Sequence, residues 1–595
     1  MDFAAQLRVL QAAHGDPAKL ALAAVDLAYP SLPDTERALL KETLAAAAIP
    51  HWCDEALLAA LLGISVEAST ARLVRLRGLN VVEPFPARGL NAVNVHEAAR
   101  LALRKAMAEE AGERFRALSG RAAATFADDF SPTGRIEWLY HLLCADPERG
   151  AAECEALDRK WSSAARPEDR YALALVLAEL EASGLVAGRA RVEVLLCVAE
   201  SRSSRGETAQ LQSNASVALA LAKQCGHASG EARANSLVGD VFQAQGKLAE
   251  AQAAFGEYLR ISRALAELHP GSAGWQRDLA VAHSRVGDVL QAQGKLAEAQ
   301  AAFGECLRIY RGLAELDPGN AGWQRDLALA HSWVGGVLQA QGKLAEAQAA
   351  FGEDLRISRG LAELDPGNAG WQRDLAVAHS RVGDVLQAQG KLAEAHAAFE
   401  ARMQISRRLA QLDPSNAEWQ RGLAVAHSKV GDVLQAQGKL AEAQAAFGEN
   451  LRISRGLAEL DPGNAGWQRE LAVAHSTVGD VLQAQGKLAE AQAAFAEGLK
   501  IFRALTELDP GNAGWQRDLA VACVKVARAE QELGRMTSAV AHFAEAQRVY
   551  AALVKAAPGF VEWVKEQGWV EEELAEARRL AAAQGDSESP GTAGA

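Results

Sequence analysis

The chain has 595 residues, 49% of them hydrophobic but only 6% aromatic. That excludes one compact core and favours thin, helix-rich packing over a sheet-rich fold. A formal charge of −13 argues against broad, sequence-independent binding to nucleic acid or anionic membranes.

The seven cysteines form no CxxC or Cys/His zinc spacing and suit reduced thiols. The N-terminal MDFAAQLRVLQAAHGD lacks a signal-peptide layout. No apolar run reaches the roughly 20 residues that span a bilayer. A cytoplasmic protein without a membrane segment is therefore expected.

In chain order, residues 1–32 read as a helical segment in which HGDPAKLALAAVDLA carries Gly15 and Pro17. Residues 33–46, 53–62 and 66–77 read as three short helices. NVVEPF and NAVNVHE read as two strands joined by PARGL, which contains Pro86 and Gly89. The helix EAARLALRKAMAEEAGERF follows. Three helices and a hairpin over residues 33–112 make a winged-helix pattern. VNVHEAARLAL resembles the winged-helix segment of STAND-type signalling NTPases, with His96 at the strand-to-helix step. The stretch with Gly15 and Pro17 resembles the Gly-x-Pro motif of their helical lid. The resemblance covers roughly residues 5–200 and implies the end of a lid, a winged helix and a helical sensor array. The nucleotide-binding core that precedes the lid in that family is not among these residues.

Residues 113–230 read as irregular helical pairs. From 231 to 583 the chain repeats every 48 residues. Trp275, Trp323, Trp371, Trp419, Trp467, Trp515 and Trp563 keep that step, as do Phe255, Phe303, Phe351, Phe399, Phe447, Phe495 and Phe543. Within a unit, Trp275, Leu279, Ala282, Val286 and Leu290 form one helical stripe. Gly294 interrupts it, and Leu296, Ala299, Phe303, Leu307, Tyr310 and Leu313 form a second. The segment DPGN stops that helix at Pro318 and offers Asn320 as the next N-cap. Each repeat is an antiparallel helix pair that buries its apolar face against its neighbours. VGDVLQAQGKLAEAQAAFGECL then resembles the tetratricopeptide repeat, through Gly287, Leu290, Gly294, Ala299, Phe303 and Leu307. Gly287 and Ala299 leave room that Phe303 fills. The unit exceeds the common 34 residues by 14, about two turns per helix, as in kinesin-light-chain-like proteins. Residues 584–595 (QGDSESPGTAGA) read as a disordered tail. The expected fold class is all-α: a superhelical solenoid of helix pairs behind a small winged-helix-like domain.

Chemical motifs are weak. Gly294-Lys295 and its copies lack the spacing and hydroxyl of a phosphate-binding loop and read as a turn glycine with an exposed lysine. The ladder His283, His331, His379, His427 and His475 stands on successive hairpins, too far apart to share one metal ion. Trp275, Trp323 and Trp371 are in phase with the apolar stripe and read as core. His283, Ser284 and Asp288 lie on one helix without an oxyanion context. No catalytic, cofactor or metal residue is expected.

Tetratricopeptide arrays commonly line a concave face with the first helix of each hairpin. By resemblance, Val281, Ser284, Asp288 and Gln291 would lie there, with Ser332, Gln339, Ser380, Asp384 and Gln387 as copies. Among the few positions that vary between repeats are two series: Arg285, Trp333, Arg381, Lys429, Thr477, Lys525, and Cys306, Asp354, Arg402, Asn450, Gly498. Trp333 beside Gly336 is the most hydrophobic candidate contact. The expected function is a non-catalytic scaffold or sensor that binds other proteins or peptides in this groove, and the array could also self-associate. Two alternatives remain: a winged-helix DNA-binding regulator using Arg72, Arg75 and Arg77, or the C-terminal part of a STAND ATPase.

Overall fold

The computed structural model describes residues 3–163, 166–203 and 208–587. It falls into two units, residues 1–238 and 239–595. In the first, Gly15 (φ 82°) closes the helix Phe3–Ala12, and the Asp16 carboxylate accepts from the Ala18 and Lys19 amides to open Pro17–Ala28. The Gly-x-Pro stretch is thus a helix stop followed by a helix start. Helices Asp34–Ala47, Glu55–Leu62 and Val66–Leu76 precede an antiparallel hairpin pairing Val82–Pro84 with Val93–Val95. Cys53 bridges to Val93 beside it. Leu44, Leu57, Leu61, Leu73, Val93 and Leu103 bury the centre of this arrangement.

One helix was expected over 97–115, but two are found, Glu97–Glu110 and Gly112–Thr125, because Ala111 leaves the helical region (φ −141°, ψ 52°). Its amide still bonds Met107 and its carbonyl still accepts from Phe115. Both ends therefore stay satisfied while Phe115 and Leu118 turn into the core. No single described helix is long and apolar enough to cross a membrane. The pair Glu55–Leu62 and Val66–Leu76 passes that test only jointly, across a 109° bend. Its leucines 57, 58, 61, 73 and 76 are in the core.

The described residues from Gly112–Thr125 to Ala228–Ala244 are helical and hold a buried ionic network. Arg233 reaches Glu193 at 2.6 Å and Glu200 at 2.8 Å, while Arg170 reaches Asp158 at 2.8 Å and Glu200 at 2.9 Å.

In the second unit the hairpins repeat with little variation. First helices such as Ala273–Ala292, Ala321–Ala340 and Ala369–Ala388 have 20 residues, and second helices such as Leu296–Leu316 and Leu344–Leu364 have 21. The Asn320, Asn368, Asn416, Asn464 and Asn512 side chains accept from the amide three residues on, at 3.1–3.2 Å. Gly294 and its copies adopt φ near +75° between the two helices, a conformation that glycine takes without a Cβ clash. A Cβ on Gly287 would lie 2.6 Å from the Phe303 ring, and one on Gly383 would lie 2.5 Å from Phe399. The glycine is what lets the two helices close over the phenylalanine. The Trp ladder is half-buried from Trp275 to Trp515, and Trp563 at its end is buried. Trp323, for example, caps the cluster of Ile309, Tyr310 and Leu313 on the preceding second helix.

Successive first helices come closer to one another than successive second helices do. The first helices therefore form the inner layer of the curved array. The array also returns on itself. Phe560, in the last inter-repeat turn, packs against the cluster of Leu248, Ala251 and Phe255, and the Trp563 ring lies 3.1 Å from a Cβ position on Gly246. The expected tail is shortened, since residues 584–587 belong to the helix Val561–Ser587. Residues 588–595 lie outside the described residues.

Candidate functional site: the inner face of the array

On each first helix, positions 281, 285, 288 and 291 and their equivalents form a partly exposed ridge, along which position 285 reaches back to the preceding repeat. Asp288, Gln291, Trp333, Gln339, Arg381, Asp384 and Gln387 are all half-exposed on this inner ridge.

The serines are a correction. Ser284, Ser332 and Ser380 are buried and turn toward the second helix of their own hairpin. Arg402 donates to Ser380 Oγ at 2.6 Å, and the Ser284 hydroxyl donates to the Val281 carbonyl at 2.8 Å. The helical period that places Asp288 inward carries Ser284 about 40° farther round, which is enough to close it inside the hairpin.

The variable positions also separate. Cys306, Asp354, Arg402 and Asn450 are buried, and a Cβ on Gly498 would meet the Ala472 carbonyl at 2.9 Å. Variation there is internal repacking and presents nothing to a partner. The 285 series, by contrast, lies on the inner ridge and obeys a pairing rule. Arg285 faces Asp240 at 3.5 Å, Lys429 faces Asp384 at 2.7 Å, and Lys525 faces Asp480 at 2.5 Å. Each cation pairs with the acid of the repeat before it. At the last step the charges are exchanged, and Arg528 faces Glu573 at 3.1 Å. Where Gly336 removes the acid, Arg381 turns to Asp354 at 3.1 Å, so an unusual residue at one variable position answers an unusual residue at the other.

The rule fails at two steps. Trp333 stands where the cation for Asp288 would be and stacks on Phe303 with ring centroids 6.3 Å apart. Thr477 stands where the cation for Asp432 would be, and its hydroxyl donates to the Ala474 carbonyl. Burial pushes both carboxyls up to about 6. For Asp288, Arg285 opposes this and Asp240 adds to it. For Asp432, Lys429 opposes it, and Asp384 and Asp480 add to it.

Because the folded-state value lies above the unfolded 3.8, the protonated form favours folding. That contribution is complete below about pH 4 and disappears as pH rises through 6. Asp432→Asn is therefore expected to stabilise the array by about 1–2 kcal/mol at pH 7.5, after allowance for solvent screening. The gain should vanish at pH 4. Urea unfolding of both proteins at the two pH values checks this.

Toward its C-terminal end the ridge opens into a pocket of about 850 Å³ lined by Asp480, Lys525, Arg528, Trp569 and Glu573. The Arg528 guanidinium lies 4.6 Å over the Trp569 ring, which is 37% exposed. Sequence reasoning passed over Trp569 because the last helix departs from the repeat. Counting 48-residue steps from Val281 would have reached it. Also unanticipated are Leu268, Leu316, Leu364, Leu412, Leu460 and Leu508, each 68–72% exposed where the second helix ends.

The other candidates are held internally. His283 and its copies are at least half-buried, and burial lowers their affinity for a proton. Two clusters have metal-ligand proximity: Glu155, Glu193 and His227, and Cys523, His542 and Glu545. Arginines already compensate their carboxylates, Arg233 on Glu193 and Arg503 on Glu545, both at 2.6 Å. Of the arginines that DNA binding would use, Arg75 pairs with Glu36 at 3.0 Å and Arg77 donates to the Leu90 carbonyl. Arg72 lies 3.5 Å from the Thr43 hydroxyl.

No family model matches the chain, and no curated protein matches it. Among solved structures it is similar to a signal transduction ATPase with numerous domains and a tetratricopeptide repeat sensor from Pyrococcus horikoshii. That match has 13% identity and a TM-score of 0.44, and covers 85% of this chain and 71% of that one. It is also similar to apo RapI, with 12% identity, a TM-score of 0.41, and 68% and 98% covered. BtubC from P. vanneervenii gives 18% identity, a TM-score of 0.35, and 43% and 92% covered. Likenesses this distant carry no functional argument. The hairpins themselves, with their turn glycine and their glycine-on-phenylalanine packing, make this a solenoid of antiparallel helix pairs, the fold that the tetratricopeptide resemblance implies.

Proposed function

We propose that the protein is a binding scaffold that takes a peptide segment of another protein along the inner face of its repeat array. The observation that carries this reading is the ridge at positions 281, 285, 288 and 291. It is half-exposed and largely polar, and it ends in a pocket with an exposed indole. A curved array of stacked pairs presents such a face continuously, so an extended segment can touch several repeats at once. The first unit extends the reading. Its Gly-x-Pro turn and its three helices with a hairpin fit the distal half of a STAND-like signalling protein, in which the array would serve as the sensor.

The test is selection of binding peptides from a random library against the full chain. Selected peptides should lose at least about tenfold in affinity on Trp569→Ala or Gln387→Arg, the size of effect expected for an interface anchor. They should be indifferent to Ala493→Lys on an outer helix. Binding that follows the outer substitution and ignores the inner ones contradicts the proposal.

A further inference from the structure

Three inner-face carboxylates already show how this ridge holds a cation. Asp240, Asp384 and Asp480 each face an arginine or lysine from the following repeat. At the two lysine steps the geometry is nearly the same: Lys429 Nζ lies 6.0 Å over the Phe399 ring, and Lys525 Nζ lies 5.6 Å over the Phe495 ring. The ammonium is therefore seated between a carboxylate and an aromatic ring of the preceding hairpin. Asp432 with Phe447 repeats this seat, but Thr477 supplies no cation; at Asp288 the Phe303 ring is stacked by Trp333, which supplies none either. Among the described residues neither Asp288 nor Asp432 has an ion-pair partner in contact, although Arg285 and Lys429 act on them at longer range.

Building on the peptide-groove reading, we propose that the seats at Asp288 and Asp432 receive lysine or arginine side chains of a basic partner segment. The partner's cations would take the places that Lys429 and Lys525 fill from within the chain. At Asp432 the side chain of Thr477 is shorter than the lysines at 429 and 525, and its hydroxyl is turned to the Ala474 carbonyl. At Asp288 the Trp333 indole offers an aromatic face, which attracts a cation in addition to the carboxylate. The two seats lie three repeats apart on one ridge, so a single extended segment reaches both and gains from linking them. The occupied seats between and beyond them fix the register, since they refuse a second positive charge.

Thr477→Lys tests this directly, because it fills the Asp432 seat with the chain's own lysine as Lys429 fills the Asp384 seat. The probe is a fluorescein-labelled peptide of alternating lysine and glycine, with glutamate–glycine and serine–glycine peptides as comparisons. Anisotropy is read on the full chain at pH 7.5 and 0.15 M salt. The lysine peptide should bind more tightly than the other two, and Thr477→Lys should weaken it about five- to tenfold, as loss of one partly buried charge-assisted contact does. Ala493→Lys adds the same charge to an outer helix and should change it less than twofold. Lys429→Thr opens a further seat and should strengthen it.

Loss of folding would not mimic the result, since Thr477→Lys adds an ion pair and should raise the thermal midpoint. Equal weakening by Thr477→Lys and Ala493→Lys would overturn the proposal. If library-selected peptides bind the inner face but are acidic or neutral, this inference falls and the groove reading stands. If selected peptides ignore inner-face substitutions, both fall.

Discussion

Phe399→Ala is expected to lower the stability of the array by about 3–5 kcal/mol, the cost of emptying a fully buried aromatic site. Phe399 is fully buried, and Leu386, Ala395, Met403, Ala426 and Val433 belong to the same cluster. The backbone of Gly383 lies directly on the ring, and glycine has no side chain to move into the space. The cavity therefore persists. Ala426 and Val433 belong to the next hairpin, so the loss falls on the interface between repeats as well as within one. In a quasi-one-dimensional array such an interface term decides whether the flanking segments unfold together. Urea unfolding followed by circular dichroism should show an earlier and broader transition. Leu412→Ala, at a leucine 71% exposed, should stay within about 0.5 kcal/mol of the wild type.

Arg233→Met is expected to be comparably severe, about 3–5 kcal/mol at neutral pH. The side chain lies among Glu193, Glu200 and Asp158, so its loss removes the guanidinium that all three carboxylates share in a buried place. Burial alone would push the Glu193 carboxyl up, and Arg233 is the main reason it is held below the ordinary range. Without that arginine the carboxylates take up protons more readily. The penalty should therefore shrink as pH falls from 7.5 to 5, a dependence that simple loss of packing would not give. Arg308→Ala, at a solvated pair with Glu305, should cost no more than about 0.5 kcal/mol.

The repeat was legible because its marks are local and periodic. A proline-containing turn, an asparagine cap, a glycine at positive φ and a glycine opposite a phenylalanine each follow from short-range chemistry, and 48-residue recurrence confirms them together. The strands around Pro86 and Gly89 were equally readable. The break at Ala111 was not, because the helix stripe continues through it and only the burial of Phe115 requires the turn.

The inner face was legible in outline and misjudged in detail. Ser284, Ser332 and Ser380 are polar and fall one helical step from Asp288, and sequence does not separate a solvated serine from one bonded inside its hairpin. The variation at positions 285 and 306 was noticed, but its meaning depends on contacts 45 and 27 residues away. Only the folded array shows Lys429 answering Asp384, or Arg381 turning to Asp354 because Gly336 offers no acid.

The central claim is that partners dock on the layer of first helices. A library-selected peptide carrying a photoreactive diazirine, cross-linked to the full chain and mapped by mass spectrometry, tests it most directly. The account predicts adducts on the inner ridge, around Asp288, Gln387, Asp432 and Trp569, and their loss when unlabelled peptide competes. Competable adducts concentrated on the second helices, or on the exposed ladder from Leu268 to Leu508, would contradict it.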